Sequence, residues 1–357
     1  MNGIARAQVF QGPKRGFTLQ GVMIPENLAP GEVLVQVLLS TLSANDLASI
    51  HGLTNSPVPA ILGHEGVGQI LSSARDGFQA GERVVWSACD SCGECAACTE
   101  YGLPQKCSSL FRYGNVSFHD GSALNGTHCT HVVLRPGTTI VPVPAALPDA
   151  VVAPANGALA TMIQALRGLP KPKRVLVQGC GLAGLFAVAL LRHQGAESVF
   201  AADRDAKRRE ASRAFGATPL AIRLPPGSVD LVVETLGDPV LLDDGLESLR
   251  PGGSYVWTGM VHSDTNTNLT GDVVVKKCLT VRGAHFSTPA DLQAAVRFLS
   301  LTHHRLPYHT LAGEPHPLDR FDDAIAETGR RHHPLTLLDP NQEVQAVNLE
   351  ARVAETP

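Results

Sequence analysis

The chain has 357 residues, 44% of them apolar and 17% charged, with a formal net charge of −4. That is enough globular chain for two domains with their own cores, and the mild negative charge excludes the basic footprint of a nucleic-acid binder. The longest apolar run, Leu182–Leu191, is too short to span a bilayer, and the N-terminal MNGIARAQVF lacks a signal-peptide core, so a cytoplasmic protein with no membrane or nucleic-acid partner is expected.

Up to about residue 150, short alternating apolar segments stand between glycines and prolines. Glu32–Leu39, His64–Leu71, Arg83–Trp86 and His131–Leu134 are examples, and the pattern predicts an all-β domain. The style then changes. Pro154–Leu166 reads as an alanine-rich helix. Val175–Gly179 reads as a buried strand, Leu182–Gln194 as a helix and Ser198–Asp203 as a second strand, with later strands at Leu231–Thr235 and Ser254–Gly259. Strands alternating with helices predict a doubly wound parallel sheet, so the fold class is α/β. A further helix from Pro289 leads into a returning segment that ends near Leu338, and the polar tail from Pro340 is expected to be partly disordered or to dock late.

Five of the eight cysteines lie between Cys89 and Cys107. Cys92-x2-Cys95-x2-Cys98, followed by Cys107, is spaced to wrap four thiolates around one tetrahedral Zn²⁺. Such a site is closed and organises a loop without doing chemistry. Cys89 extends the series by one more step and is an alternative ligand. The strand at Val175 runs into GCGLAG, which sets Gly179, Gly181 and Gly184 in dinucleotide-binding spacing, with Leu182 opening the helix. Asp203 ends the next strand, where a carboxylate accepts hydrogen bonds from the adenosine ribose and repels a 2′-phosphate, favouring NAD(H) over NADP(H). Arg204, beside it, works in the opposite direction.

With the thiolate loop and the nucleotide motif in this order, the chain resembles the zinc-type medium-chain alcohol dehydrogenases from about residue 20 to 338. GHEGVGQI (Gly63–Ile70) is similar to the family segment whose histidine binds a catalytic zinc, and LRPGGSYVWTG to the strand beside the nicotinamide. Arg208 falls where the family often places a base near the adenine ribose. GLPQKC, PDAVVAPAN and LTVRGAH resemble a bacterial subgroup associated with phosphonate metabolism. The resemblance implies a GroES-like catalytic domain over residues 1–153 and 288–357, a Rossmann coenzyme domain over 154–287, and a homodimer or homotetramer. It also implies hydride exchange between a nicotinamide and a small polar, phosphonate-bearing or related, alcohol or carbonyl substrate.

Two departures stand out. Ser43 occupies the place of the family's first catalytic-zinc cysteine, and Gly157 that of a later one. His64, Glu65 and Asp46 remain, a weak set for a zinc that needs three protein ligands, so one structural zinc and no catalytic one is expected. SANDL, around Asn45, resembles the zinc-free quinone and enoyl reductases. Ser43, Asn45 and His64 are therefore the candidates to move a proton or polarise the substrate, with Asp46 orienting His64. Reduction of an activated C=C or C=N bond is one rival reading, and nucleotide binding without turnover another. Lys276, Lys277 and Arg282 read either as attractors of an anionic substrate or as a basic strand rim.

Overall fold

The computed structural model describes residues 3–259, 267, 269 and 271–343, so the tail expected to be partly disordered or to dock late lies mostly outside the described residues. Six parallel strands form one sheet in the spatial order 218–219, 198–202, 174–178, 229–234, 249–257, 280–283. Numbered along the sheet's own sequence this is 3-2-1-4-5-6, the doubly wound Rossmann order, and its crevice opens where strands 174–178 and 229–234 diverge to opposite sides. The inner strands are apolar throughout. Val175 and Val177 pack with Leu185, Phe186 and Val233 on one face, while Leu176 and Val232 pack with Leu246 and Tyr255 on the other. A parallel sheet covered by helices on both faces needs that pattern.

Before it, residues 4–142 build antiparallel sheets around the long strand Val33–Leu42. The sequence predicts that strand to end at Leu39. It runs three residues further because Thr336–Leu338 returns to pair with Leu42, Thr41 and Ser40. The strand predicted from His64 begins instead at Gly66, which leaves His64 and Glu65 in the approach to it. The helix predicted from Pro154 is a short 3₁₀ turn over Ala153–Ala155, and the α-helix proper runs from Ala158 to Leu166. Lys277 donates to the carbonyls of Leu246, Glu247 and Leu249 at 2.8, 2.9 and 3.1 Å, and Arg282 to those of Arg167 and Gln164 at 2.5 and 3.3 Å. Both cap helix C-termini, where carbonyls lack partners and the helix dipole favours a cation. Lys276 pairs with Asp272.

The loop from Cys92 to Cys107 gathers four Sγ atoms within 4.8 Å of one another. Measured pairs are 3.6 Å for Cys95–Cys98, 3.8 Å for Cys95–Cys107 and 3.4 Å for Cys92–Cys107. Those distances exclude disulfides, whose sulfurs sit about 2.05 Å apart. They fit the edges of a tetrahedron with about 2.3 Å metal–sulfur bonds. Backbone N–H groups of Cys92 and Ser109 point at Cys107 Sγ, and that of Cys95 at Cys92 Sγ. These N–H groups hold the sulfurs of Cys92 and Cys107 in position. Cys89 stays outside the cluster, and burial pushes its thiol up to about 12. Replacing Cys95 by Ser should lower the melting temperature by roughly 5 °C or more, since a structural metal contributes folding energy directly. Thermal denaturation with and without a strong chelator checks this, and an unchanged wild-type transition after complete zinc removal counts against it.

Candidate active site in the interdomain cleft

A cleft of about 490 Å³ lies between the two folds. On the nucleotide side, Gly179 has φ 108° and turns the chain out of its strand. A Cβ on Gly184 would come within 1.9 Å of the Gly179 carbonyl, so only glycine lets the helix Leu182–His193 pack there. A Cβ on Gly181 would meet no protein atom within 4 Å. Gly181 caps the helix N-terminus with no side-chain partner, and the open space before its free N–H groups suits a pyrophosphate. The residues present therefore fit a dinucleotide.

Asp203 sits at the far end of this cradle. Its carboxylate accepts the N–H of Cys180 and of Asp205, both at 2.9 Å, and the Arg208 guanidinium at 2.8 Å. Burial opposes its ionisation, but Arg208 and the two N–H groups outweigh burial and hold the carboxyl below its ordinary value. Arg204 turns away from the ribose position and pairs with Asp238. The base that faces Asp203 is thus Arg208.

On the chemical side, Ser43 caps the helix Ala44–Ile50. Its N–H and its hydroxyl both donate to the Asp46 carboxylate, at 2.7 and 2.6 Å, and the other Asp46 oxygen accepts the Gly63 N–H at 3.2 Å. Asp46 is therefore committed to a capping box and to the turn before His64. Ser43 Oγ in turn accepts the Asp46 N–H at 3.4 Å. Asn45, exposed in the first helical turn, and the half-buried His64 line the same wall.

Glu65 is the residue whose role the sequence hides. It is 4% exposed, accepts the Thr41 hydroxyl at 2.7 Å and the Gly157 N–H at 2.5 Å. A Cβ at position 157 would lie 2.6 Å from Glu65 Oε1. The carboxyl fills the room that a side chain at 157 would need. Burial raises its pKa, against the lowering effects of His64, Thr41 and Gly157. Among the described residues, the only group of three or more Cys, His, Asp or Glu side chains that converges as a metal site is the four-cysteine cluster.

Three further residues escape sequence reasoning. His128 is wholly buried beneath Gly63, with Nε2 at 3.3 Å from the Thr41 carbonyl, and burial lowers its pKa. Nothing in its local sequence marks it. Arg331, exposed at the end of helix Phe321–Arg330, lines the cleft beside Thr336, which pairs with Leu42 next to Ser43. Its guanidinium has no ion-pair partner among the described residues, which suits it to meet a phosphate group. His285, in the segment after strand Thr280–Gly283, also lines the cleft, and its Nδ1 lies 2.6 Å from Lys106 Nζ. Desolvation, then the charges of Lys106 and Arg112, push His285 down to about 4, so its ring is neutral near pH 7.

Two family profiles match, one described as the alcohol dehydrogenase GroES-like domain over residues 29–145 and one as zinc-binding dehydrogenase over residues 183–300, together more than half of the chain. The acryloyl-coenzyme A reductase of Metallosphaera sedula is 26% identical over 302 residues, covering 82% of this chain and 88% of its own length. The D-altritol 5-dehydrogenase of Agrobacterium fabrum is 27% identical over 300 residues, covering 79% and 87%. A crystal structure of an alcohol dehydrogenase from Thermotoga maritima superposes with a TM-score of 0.88 at 26% identity, covering 94% of this chain and 99% of that one. The two profiles, the nucleotide cradle and the cysteine cluster agree: the chain belongs to the zinc-type medium-chain alcohol dehydrogenase family and is an oxidoreductase.

Proposed function

We propose that this enzyme exchanges hydride between NAD(H) and a small polar substrate whose carbonyl or double bond is already activated, without a catalytic zinc. The observation that carries the reading is the Glu65–Gly157 contact. The Glu65 carboxyl stands where a ligand side chain at 157 would be, and Ser43, at the other departed position, gives its hydrogen to Asp46. A serine hydroxyl so engaged is a poor zinc ligand, glycine has none to give, and His64 alone does not make a three-ligand site.

A bound nicotinamide supplies or accepts the hydride at its C4. The chain does the rest. Asn45 and His64 offer donors to the substrate oxygen, which gains negative charge as hydride arrives at carbon. His64, in the turn held by Asp46 and Asn156, would give the companion proton. Reduction of an activated C=C bond is the second reading. The acryloyl-coenzyme A reductase relative and Asn45 favour it. A carbonyl flanked by phosphonate, suggested by the GLPQKC and LTVRGAH motifs, belongs in the same panel. The preference for NAD(H) draws support from Asp203, whose ionised carboxylate would repel a 2′-phosphate.

Elemental analysis should find one zinc per chain. NADH oxidation with enones, aldehydes and phosphonoacetaldehyde should survive a chelator that leaves the four-cysteine zinc in place. Two zincs per chain, with alcohol oxidation lost on chelation and restored by zinc, would return the enzyme to ordinary zinc chemistry.

Wild type should bind NADH more tightly than NADPH. Asp203→Ser should narrow the ratio by about 10-fold or more, because it removes the repelling charge and frees Arg208 to meet the phosphate. Tighter binding of NADPH by the wild type would contradict the role of Asp203.

Glu65 generates a pH test. Its raised pKa means that the folded state favours the neutral acid, so this contribution to stability is full below about 4.5 and is lost as pH rises through the raised value. Glu65→Gln keeps the shape and cannot ionise. The melting temperature of the variant relative to wild type should therefore climb as pH rises above about 4.5; a flat difference would refute the assignment.

A further inference from the structure

We propose that His285 is a hydrogen-bond donor to the substrate's oxygen, set in that role by Lys106 from the four-cysteine loop. The proposal rests on the hydride-transfer reading above. Its geometric basis is the 2.6 Å contact between Lys106 Nζ and His285 Nδ1. An ammonium has hydrogens to give and no lone pair, so Nδ1 must accept. The single hydrogen of the neutral ring then sits on Nε2. Histidines whose inner nitrogen meets a carboxylate or carbonyl are fixed the other way, with a bare nitrogen outward that can serve as a base. A lysine behind the ring produces an outward donor.

The surroundings fit that use. His285 lines the cleft that also holds Ser43, Asn45, His64, Thr258 and Gly259, and Lys106 approaches from outside its wall. The next residue, Phe286, has φ 59°, a left-handed backbone that a bulky L side chain adopts only when the surroundings impose it. Its ring lies 4.2 Å from that of His285. This strained turn carries the imidazole to the cleft. Lys106 belongs to the segment closed by Cys98 and Cys107, so its reach is set by the same loop that gathers the thiols. As hydride reaches the substrate carbon, charge develops on oxygen, and a fixed Nε2–H stabilises it without transferring its proton.

The test uses full-length protein with its zinc loop intact and ¹⁵N-labelled histidine, with His285→Gln identifying the His285 signals. The hydrogen should be found on Nε2, and Lys106→Met should mix the tautomers. Acetamide, a carbonyl mimic with a strong acceptor oxygen, should move the Nε2–H signal downfield in the NADH complex of wild type. A hydrogen on Nδ1, a tautomer indifferent to Lys106→Met, or an Nε2–H unmoved by acetamide would each overturn the proposal. In turnover, His285→Leu should lower kcat/KM by roughly 10²-fold with NADH affinity unchanged, and His285→Gln, which keeps an N–H, should recover part of it. Undiminished kcat/KM in His285→Leu also overturns it. If wild type consumes NADH with no compound of the panel, the hydride-transfer reading fails, while the NMR measurements still decide the role of His285.

Discussion

Everything in the cleft depends on how Asn156 and Gly157 grip the segment before strand Gly66–Ser73. The Asn156 amide donates to the His64 carbonyl at 2.9 Å, and the Gly157 N–H to the Glu65 carboxyl at 2.5 Å. These two bonds cross from the helical half of the molecule to the β-rich half. They tie the His64 backbone to the cleft wall and bury Glu65 at the seam. A polar group this deep is tolerated only because both of its oxygens have partners, Thr41 on one side and Gly157 on the other. The seam is therefore cross-linked along the wall of the cleft that Ser43, Asn45 and His64 line.

The nucleotide half was legible from sequence because its signals are local. A buried apolar strand, three glycines at fixed offsets and an acid at the end of the next strand each state a backbone requirement within a few residues. The cysteine loop was legible for the same reason. The strand end at Leu42 was not, because the pairing that extends it arrives from Thr336, almost three hundred residues later. Arg208 and Arg204 could not be ranked, since which base meets Asp203 depends on side-chain direction. Arg204 looked like the competitor and is occupied by Asp238.

The chemical half was legible only in part. Position 43 and position 157 announced a departure, but the sequence could not say what fills the space. Glu65 lies ninety-two residues from Gly157 along the chain, and only the fold brings them together. His285 and Lys106 are further apart still, and although the LTVRGAH and GLPQKC segments contain them, neither segment says that the two side chains meet. The basic trio at 276, 277 and 282 shows the converse. Their charges suggested a ligand, yet Lys277 and Arg282 close helix ends and Lys276 joins a surface pair.

The packing around Gly157 ties that position to another one far away in sequence. With Glu65 Oε1 only 2.6 Å from where a Cβ would stand, a side chain at 157 requires the buried Glu65 carboxyl to shift from its present seat. A change at 157 is thus guarded by the residue at 65, and a change at 43 by its bond to Asp46. Positions 157 and 65, like positions 43 and 46, therefore behave as linked pairs: the residue at one limits what the other accepts, so paired changes should be tolerated at these places more often than single ones.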